Sequence, residues 1–165
     1  MSVSGNDYII LAGGCFWGVE ELFRNINGVT KTLVGYSGGE LADPTYDDVK
    51  LGNTGHAEAI RIDFDSNKVS LKSLLEFFYK MHDPTTLNQQ GNDKGPQYRS
   101  VIFYRNEDQK QLASEVINQV ESSKKFSRPI TTSLEAEQKF YPAEDVHQNY
   151  LQKNPNGYTC HYIRD

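Results

Sequence analysis

Apolar positions along the chain alternate between two rhythms. Residues 8–12, Tyr-Ile-Ile-Leu-Ala, form a short apolar run closed by Gly13-Gly14, the pattern of a buried strand. Val19, Leu22, Phe23 and Ile26 then recur at helical spacing on one face, until Asn27-Gly28 stops them. Residues 29–36 read as a second strand ending in Ser37-Gly38-Gly39, so the chain opens on a strand–helix–strand unit. Residues 37–56 are rich in Gly, Asp and Asn and read as loop; so long a loop inside a compact domain points to function or local order.

The rhythm then repeats. Residues 57–64 alternate as a strand does, with one irregularity at Ile60. Ser70 is a candidate N-cap for a helix whose Leu71, Leu74, Leu75 and Phe78 share a face. Residues 82–99 are polar, carry two prolines and two glycines, and read as loop. Residues 100–104 read as a strand, and Asn106 with Gln109 resembles a capping box ahead of Leu112, Val116 and Val120. Residues 129–134 predict another strand, and Pro142 suits the first turn of a last short helix running through Leu151. Two strand–helix–strand units in succession predict one sheet with helices on a face, an α+β or α/β domain.

Composition narrows the function classes. The chain has 165 residues, enough for one domain over 1–165, with 155–165 a flexible tail. Aromatics make up 12%, which excludes intrinsic disorder. Lys and Arg number 17 against 22 Asp and Glu, a net charge of −5, so the basic footprint of a nucleic-acid binder is missing. No apolar run approaches the roughly 18 residues of a membrane span, and residues 1–14 lack the pattern of an export signal. A cytoplasmic monomer with no nucleic-acid or membrane partner is expected.

Two cysteines, Cys15 and Cys160, sit near opposite ends. A structural disulfide closing so long a loop would contribute about 5 kcal/mol in the chain-entropy model. A reducing cytosol would not keep it closed. Four histidines and no CxxC or HxxxH spacing are thin material for zinc, so no metal is expected. The two thiols are either unrelated or a working pair.

Cys15 stands where a strand ends and a helix begins, in Gly13-Gly14-Cys15-Phe16-Trp17-Gly18. Unpaired N–H groups and the helix dipole favour a thiolate there, although a cysteine near a strand end is often just a small buried hydrophobe. The box lacks GxGxxG spacing, and no GK[ST] occurs, so phosphate binding is weakly supported. Phe16 and Trp17 are either core or an aromatic pocket for a methyl or thioether group. Glu58 stands between Ala57 and Ala59; on a solvent face it is an ordinary carboxylate, on a buried face a general acid with a raised pKa. Tyr46 and Tyr98 are two of ten tyrosines, and His56 suits a turn.

The combination of motifs is more particular than any of its parts. The Gly13–Gly18 box, Gly35-Tyr36-Ser37-Gly38-Gly39, Thr54-Gly55-His56-Ala57-Glu58, Gln90-Gly91-Asn92-Asp93, Gln97-Tyr98-Arg99-Ser100, Phe140-Tyr141-Pro142-Ala143-Glu144-Asp145 and His147-Gln148 occur in that order. Over nearly its whole length the chain resembles the peptide methionine sulfoxide reductases of the A type, enzymes that reverse methionine oxidation. The resemblance implies a two-layer α+β sandwich of ferredoxin-like type and reduction of the S epimer of methionine sulfoxide, free or in peptides and proteins. Cys15 matches the nucleophile and Glu58 the acid that protonates the departing oxygen. Tyr46 and Tyr98 match the phenols that bind that oxygen, Asp93 their supporting carboxylate, and Phe16 and Trp17 the pocket for the terminal methyl.

By the same resemblance Cys160 is the resolving cysteine. It condenses with the sulfenic acid on Cys15 to a disulfide that thioredoxin, or dithiothreitol in vitro, reduces; no bound cofactor is implied. Many members have a further cysteine before the Thr-Gly-His-Ala-Glu box, where this chain reads Asp47-Asp48-Val49-Lys50-Leu51; others have a second C-terminal cysteine. A two-cysteine cycle without a relay is therefore expected. Two other classes compete: a binding module with Cys15 inert, and a cysteine hydrolase pairing Cys15 with His56 or His147.

Overall fold

The computed structural model describes residues 5–159 and 161–163. Strand β1 (Asn6–Gly13) leads into helix α1 (Phe16–Arg24) and strand β2 (Val29–Ser37). Helix α2 (Tyr46–Lys50) precedes strand β3 (Ala57–Asp65), helix α3 (Leu71–Met81) and the two-residue strands β4 (Gln89–Gln90) and β5 (Asp93–Lys94). Strand β6 (Ser100–Tyr104), helix α4 (Glu107–Ser122), strands β7 (Ser133–Ala136) and β8 (Tyr141–Pro142) and helix α5 (Tyr150–Lys153) follow. The main sheet runs β7-β6-β1-β3-β2-β8, antiparallel throughout except for the β6–β7 pair. Its centre, β6-β1-β3-β2 with α1 and α3 as the crossovers, is the expected ferredoxin-like arrangement.

The two faces of the sheet carry separate apolar clusters. Ile9 and Leu11 of β1, Val34 and Tyr36 of β2, Ile60, Ile62 and Phe64 of β3 and Ile102 of β6 pack against Phe16, Val19 and Phe23 of α1, Leu74, Leu75 and Phe78 of α3, and Ala113 and Val116 of α4. At about 1.5–3 kcal/mol per large buried side chain, this helix-covered face carries most of the apolar stabilisation. The opposite face holds Ile10, Ala12, Ala57, Ala59, Val101 and Phe103, with Phe140 and Tyr8 packed on them. Burial on both faces explains the irregularity at Ile60: Glu58, Ile60, Ile62 and Phe64 point at the helices, while Ala57 and Ala59 are covered from the other side.

Three elements differ from expectation. The loop over 37–56 contains α2, made by a capping box in which Thr45 and Asp48 bond reciprocally to each other's backbone N–H. The late strand lies at Ser133–Ala136 rather than 129–134, because its register against β6 is set by parallel pairing from Val101–Ser133 onward. The expected helix from Pro142 to Leu151 is broken: Pro142 sits in a bridge to β2, a 3-10 turn covers Asp145–His147, and only Tyr150–Lys153 is helical. Among the described residues no helix is long and apolar enough to cross a membrane.

Candidate active site

The turn between β1 and α1 is built for close approach. Gly14 has φ +102°, a conformation that L side chains rarely adopt, and a Cβ there would collide with Gln90. The turn delivers Cys15 to the N-cap of α1, where it is 5% exposed and its carbonyl accepts the N–H of Val19. One residue on, the Phe16 N–H donates to Oε1 of Glu58 at 3.1 Å. This bond joins the first turn of α1 to β3, and it exists because Glu58 lies on the helix-facing side of the sheet.

Glu58 is 1% exposed. Burial pushes its carboxyl up to about 8; the Phe16 N–H pulls the other way and the charge of Asp93 adds to the rise. At neutral pH the group is therefore mostly protonated, with Oε1 accepting from Phe16 and Oε2 left to carry the proton.

Tyr46 is the first residue of α2, Tyr98 ends a 3-10 turn over Pro96–Tyr98, and Asp93 belongs to the β4–β5 hairpin. Two side chains hold these loops in place: Gln97 ties the 3-10 turn to the end of α2 by donating to the Lys50 carbonyl at 3.2 Å, and Gln90 ties the hairpin to the backbone of Asp83 after α3. Both phenols are pushed above their ordinary range, first by burial and then by the negative charges of Glu58, Asp93 and Cys15. The residues singled out in four separate stretches of sequence thus converge on one another. Both phenols remain hydrogen-bond donors at any working pH.

Aromatic rings wall the other side. Phe16 is fully buried, 5.7 Å from Tyr36 and from His147, and 6.3 Å from Tyr46. Trp17 stacks on Tyr150 at 3.8 Å and donates its indole N–H to Nδ1 of His147 at 3.1 Å. His147 in turn stacks on Tyr46 at 4.3 Å. Glu144 closes the arrangement: its Oε1 accepts the Tyr36 hydroxyl at 2.9 Å and its Oε2 the Tyr46 N–H at 3.0 Å. Sequence reasoning gives Tyr150 no part in this wall; it places Glu144 and His147 within motifs, and the one role it weighs for His147 is that of a hydrolase partner. The contacts join positions about a hundred residues apart, and no local pattern announces them.

Burial lowers the His147 imidazole below its usual 6.5, against the pull of the Glu144 and Asp47 carboxylates. It is neutral at pH 7 and free to accept at Nδ1. Acidification protonates that nitrogen and removes the acceptor of Trp17, the chain's sole tryptophan. Intrinsic fluorescence should therefore fall on acidification with a midpoint below pH 6.5. Emission that stays constant from neutral pH down through that range would show that the bond is not held in solution.

His56 serves the loops: Nδ1 accepts the Gly39 N–H at 3.0 Å, and Nε2 lies 2.7 Å from the Leu41 carbonyl. The tail crosses the start of α1. His161 is buried, with Nε2 at 2.7 Å from the Gly13 carbonyl, and a Cβ on Gly18 would collide with both the His161 ring and the Thr159 hydroxyl. Cys160 itself lies outside the described residues. Among the described residues, no group of three or more His, Cys, Asp or Glu side chains is arranged to hold a metal ion.

The chain that carries this site is similar to known proteins over nearly its whole length. The family model described as peptide methionine sulfoxide reductase matches residues 7–165. The chain is 50% identical over 155 residues to peptide methionine sulfoxide reductase MsrA 2 of Rhodopirellula baltica, covering 94% of this chain and 90% of the relative. Its structure is similar to reduced Mxr1 from Saccharomyces cerevisiae, with a TM-score of 0.91, 36% identity, and coverage of 99% and 95% of the two chains. It also matches Mxr1 in complex with Trx2, with a TM-score of 0.66, 25% identity and coverage of 99% and 94%.

Proposed function

This chain belongs to the peptide methionine sulfoxide reductase family, and we propose that Cys15, Glu58, Tyr46 and Tyr98 carry out its reaction. The enzyme reduces methionine sulfoxide to methionine. The Sγ of Cys15 attacks the sulfoxide sulfur while the sulfoxide oxygen accepts hydrogen bonds from the Tyr46 and Tyr98 phenols. Glu58 gives that oxygen the proton held on Oε2. The oxygen then passes to Sγ, so methionine leaves with two more electrons and Cys15 becomes a sulfenic acid. Asp93 supports the phenols and helps to keep Glu58 protonated. Phe16 and Trp17 receive the substrate methyl.

The observation that carries this reading is the buried, protonated Glu58 one backbone hydrogen bond from the residue after Cys15. An oxide leaves sulfur poorly, and an acid still protonated at neutral pH is what the step requires. Cys160 then attacks the sulfenic acid, releasing water and leaving a disulfide. Its chain neighbours Thr159 and His161 pack on Gly18 and Gly13, around the turn that bears Cys15, which supports the assignment. Thioredoxin reduces the disulfide by exchange. We read the protein as a cytoplasmic monomer whose 155–165 tail brings the second thiol.

A methyl pocket on one side and oxygen-binding phenols on the other fit one configuration at sulfur. With dithiothreitol as reductant, the S epimer of N-acetyl-methionine sulfoxide should turn over and the R epimer should not. Equal reduction of both would remove the proposed division of the site, and reduction of neither by folded, reduced protein would leave a binding module.

A further inference from the structure

A buried carboxyl that the chemistry leaves unused is Glu20, in the middle of α1. It is 1% exposed, and burial pushes its carboxyl up, against the hydrogen bonds it accepts. The nearby Arg24 is taken up by Glu21. A carboxyl buried without a salt-bridge partner destabilises a fold unless its hydrogen bonds do something specific. Both of its oxygens are committed: Oε2 accepts the Thr32 hydroxyl at 2.8 Å, and Oε1 accepts the Asn149 N–H at 2.7 Å.

Asn149 turns the chain into α5. Its φ of 53° and ψ of 39° are left-handed, and its carbonyl accepts from Gln152 and Lys153 to start α5. The residue before it, Gln148, is bonded to both the N–H and the carbonyl of Val34 in β2. The residue after it, Tyr150, is the ring stacked on Trp17. A four-residue helix does not hold itself in water. The position of Tyr150 over Trp17 therefore depends on where Glu20 and Gln148 fix the chain.

We propose that Glu20 is a positioning residue for substrate specificity: through Asn149 it holds Tyr150 stacked against Trp17, and so fixes the place of the indole that limits the size of alkyl group accepted beside the sulfoxide sulfur. The inference rests on the reading of Trp17 as the methyl pocket. Glu20 and Trp17 lie one turn apart on α1, so the indole and the ring that backs it are fixed from the same helix.

The test compares N-acetyl-methionine sulfoxide with N-acetyl-ethionine sulfoxide, S epimers, with dithiothreitol, for wild type, Glu20→Gln and Glu20→Ala. One added methylene against a fitted pocket is worth about 10–200-fold in kcat/KM. Wild type should show a preference for methyl in that range. Glu20→Gln keeps an acceptor for Asn149 and a donor for the Thr32 hydroxyl, and should keep the preference. Glu20→Ala should lose most of it, with a rise in KM for the methyl substrate and altered Trp17 emission. If Glu20→Ala does not fold, Glu20→Asp, which keeps the charge but is too short to bridge Thr32 and Asn149, should show the same loss.

A folded Glu20→Ala or Glu20→Asp with the wild-type methyl-to-ethyl ratio would overturn the proposal, however much slower it is. So would a Glu20→Gln as unselective as Glu20→Ala. Absence of any preference in wild type would instead remove the methyl-pocket reading, and this inference with it.

Discussion

Glu58→Gln is expected to lower turnover of methionine sulfoxide by about 10²–10⁴-fold, the usual worth of a general acid. The substitution keeps the shape of the side chain and the acceptor for the Phe16 N–H, so α1 and β3 stay joined. It removes only the proton. The pH profile separates this from mere disturbance. Because the carboxyl is pushed up to about 8, wild-type activity should fall as pH rises through that value, and the variant should lack this alkaline limb. Unchanged turnover in Glu58→Gln would mean that the acid is elsewhere. Retention of the same limb would mean that another group titrates there.

Cys160→Ser separates the reductants. Thioredoxin-driven turnover should fall to background, because the variant cannot form the disulfide that thioredoxin reduces. Dithiothreitol-driven turnover should partly survive, since that small dithiol can attack the sulfenic acid on Cys15 directly. After one turnover without reductant the variant should hold a sulfenic acid trappable by dimedone, and wild type should not. Full thioredoxin-driven activity in Cys160→Ser would end the resolving role, and a hydrolase mechanism would gain support from it.

Most of the sheet and its helices are legible because their apolar faces repeat at the period of the element. Leu71, Leu74, Leu75 and Phe78 mark α3, and Leu112, Val116 and the cap at Asn106 mark α4. The short elements are not legible that way, since five residues of α2 give barely one period. Its signal was the polar box from Thr45 to Asp48, which sits among other turn-forming residues. The segment after Pro142 misleads for a different reason. The tertiary ties of Gln148 to Val34 and Asn149 to Glu20 override its local helical tendency.

The site divides along the same line. Cys15, Glu58 and Tyr98 stand in motifs, and the resemblance carries them together with Tyr46. Nothing about residues 57–59 alone said which face of the strand is buried; that depends on Phe140 covering the alanines. Glu144 stands in a motif without a role and Glu20 in none, and their partners lie too far along the chain for any window to hold both.

The burial that keeps Glu58 protonated also has a thermodynamic consequence for the fold. In the unfolded chain its carboxyl would release its proton near 4.5, while the folded chain holds it to about 8. Between those values the native state binds the extra proton, so Glu58 contributes stability that is fully present below about 4.5, is lost steadily as pH rises, and is gone above about 8. The enzyme's acid therefore opposes the native state most where it is least useful as an acid. A mildly acidic interior would favour catalysis and folding together, and alkaline conditions would weaken both through one proton.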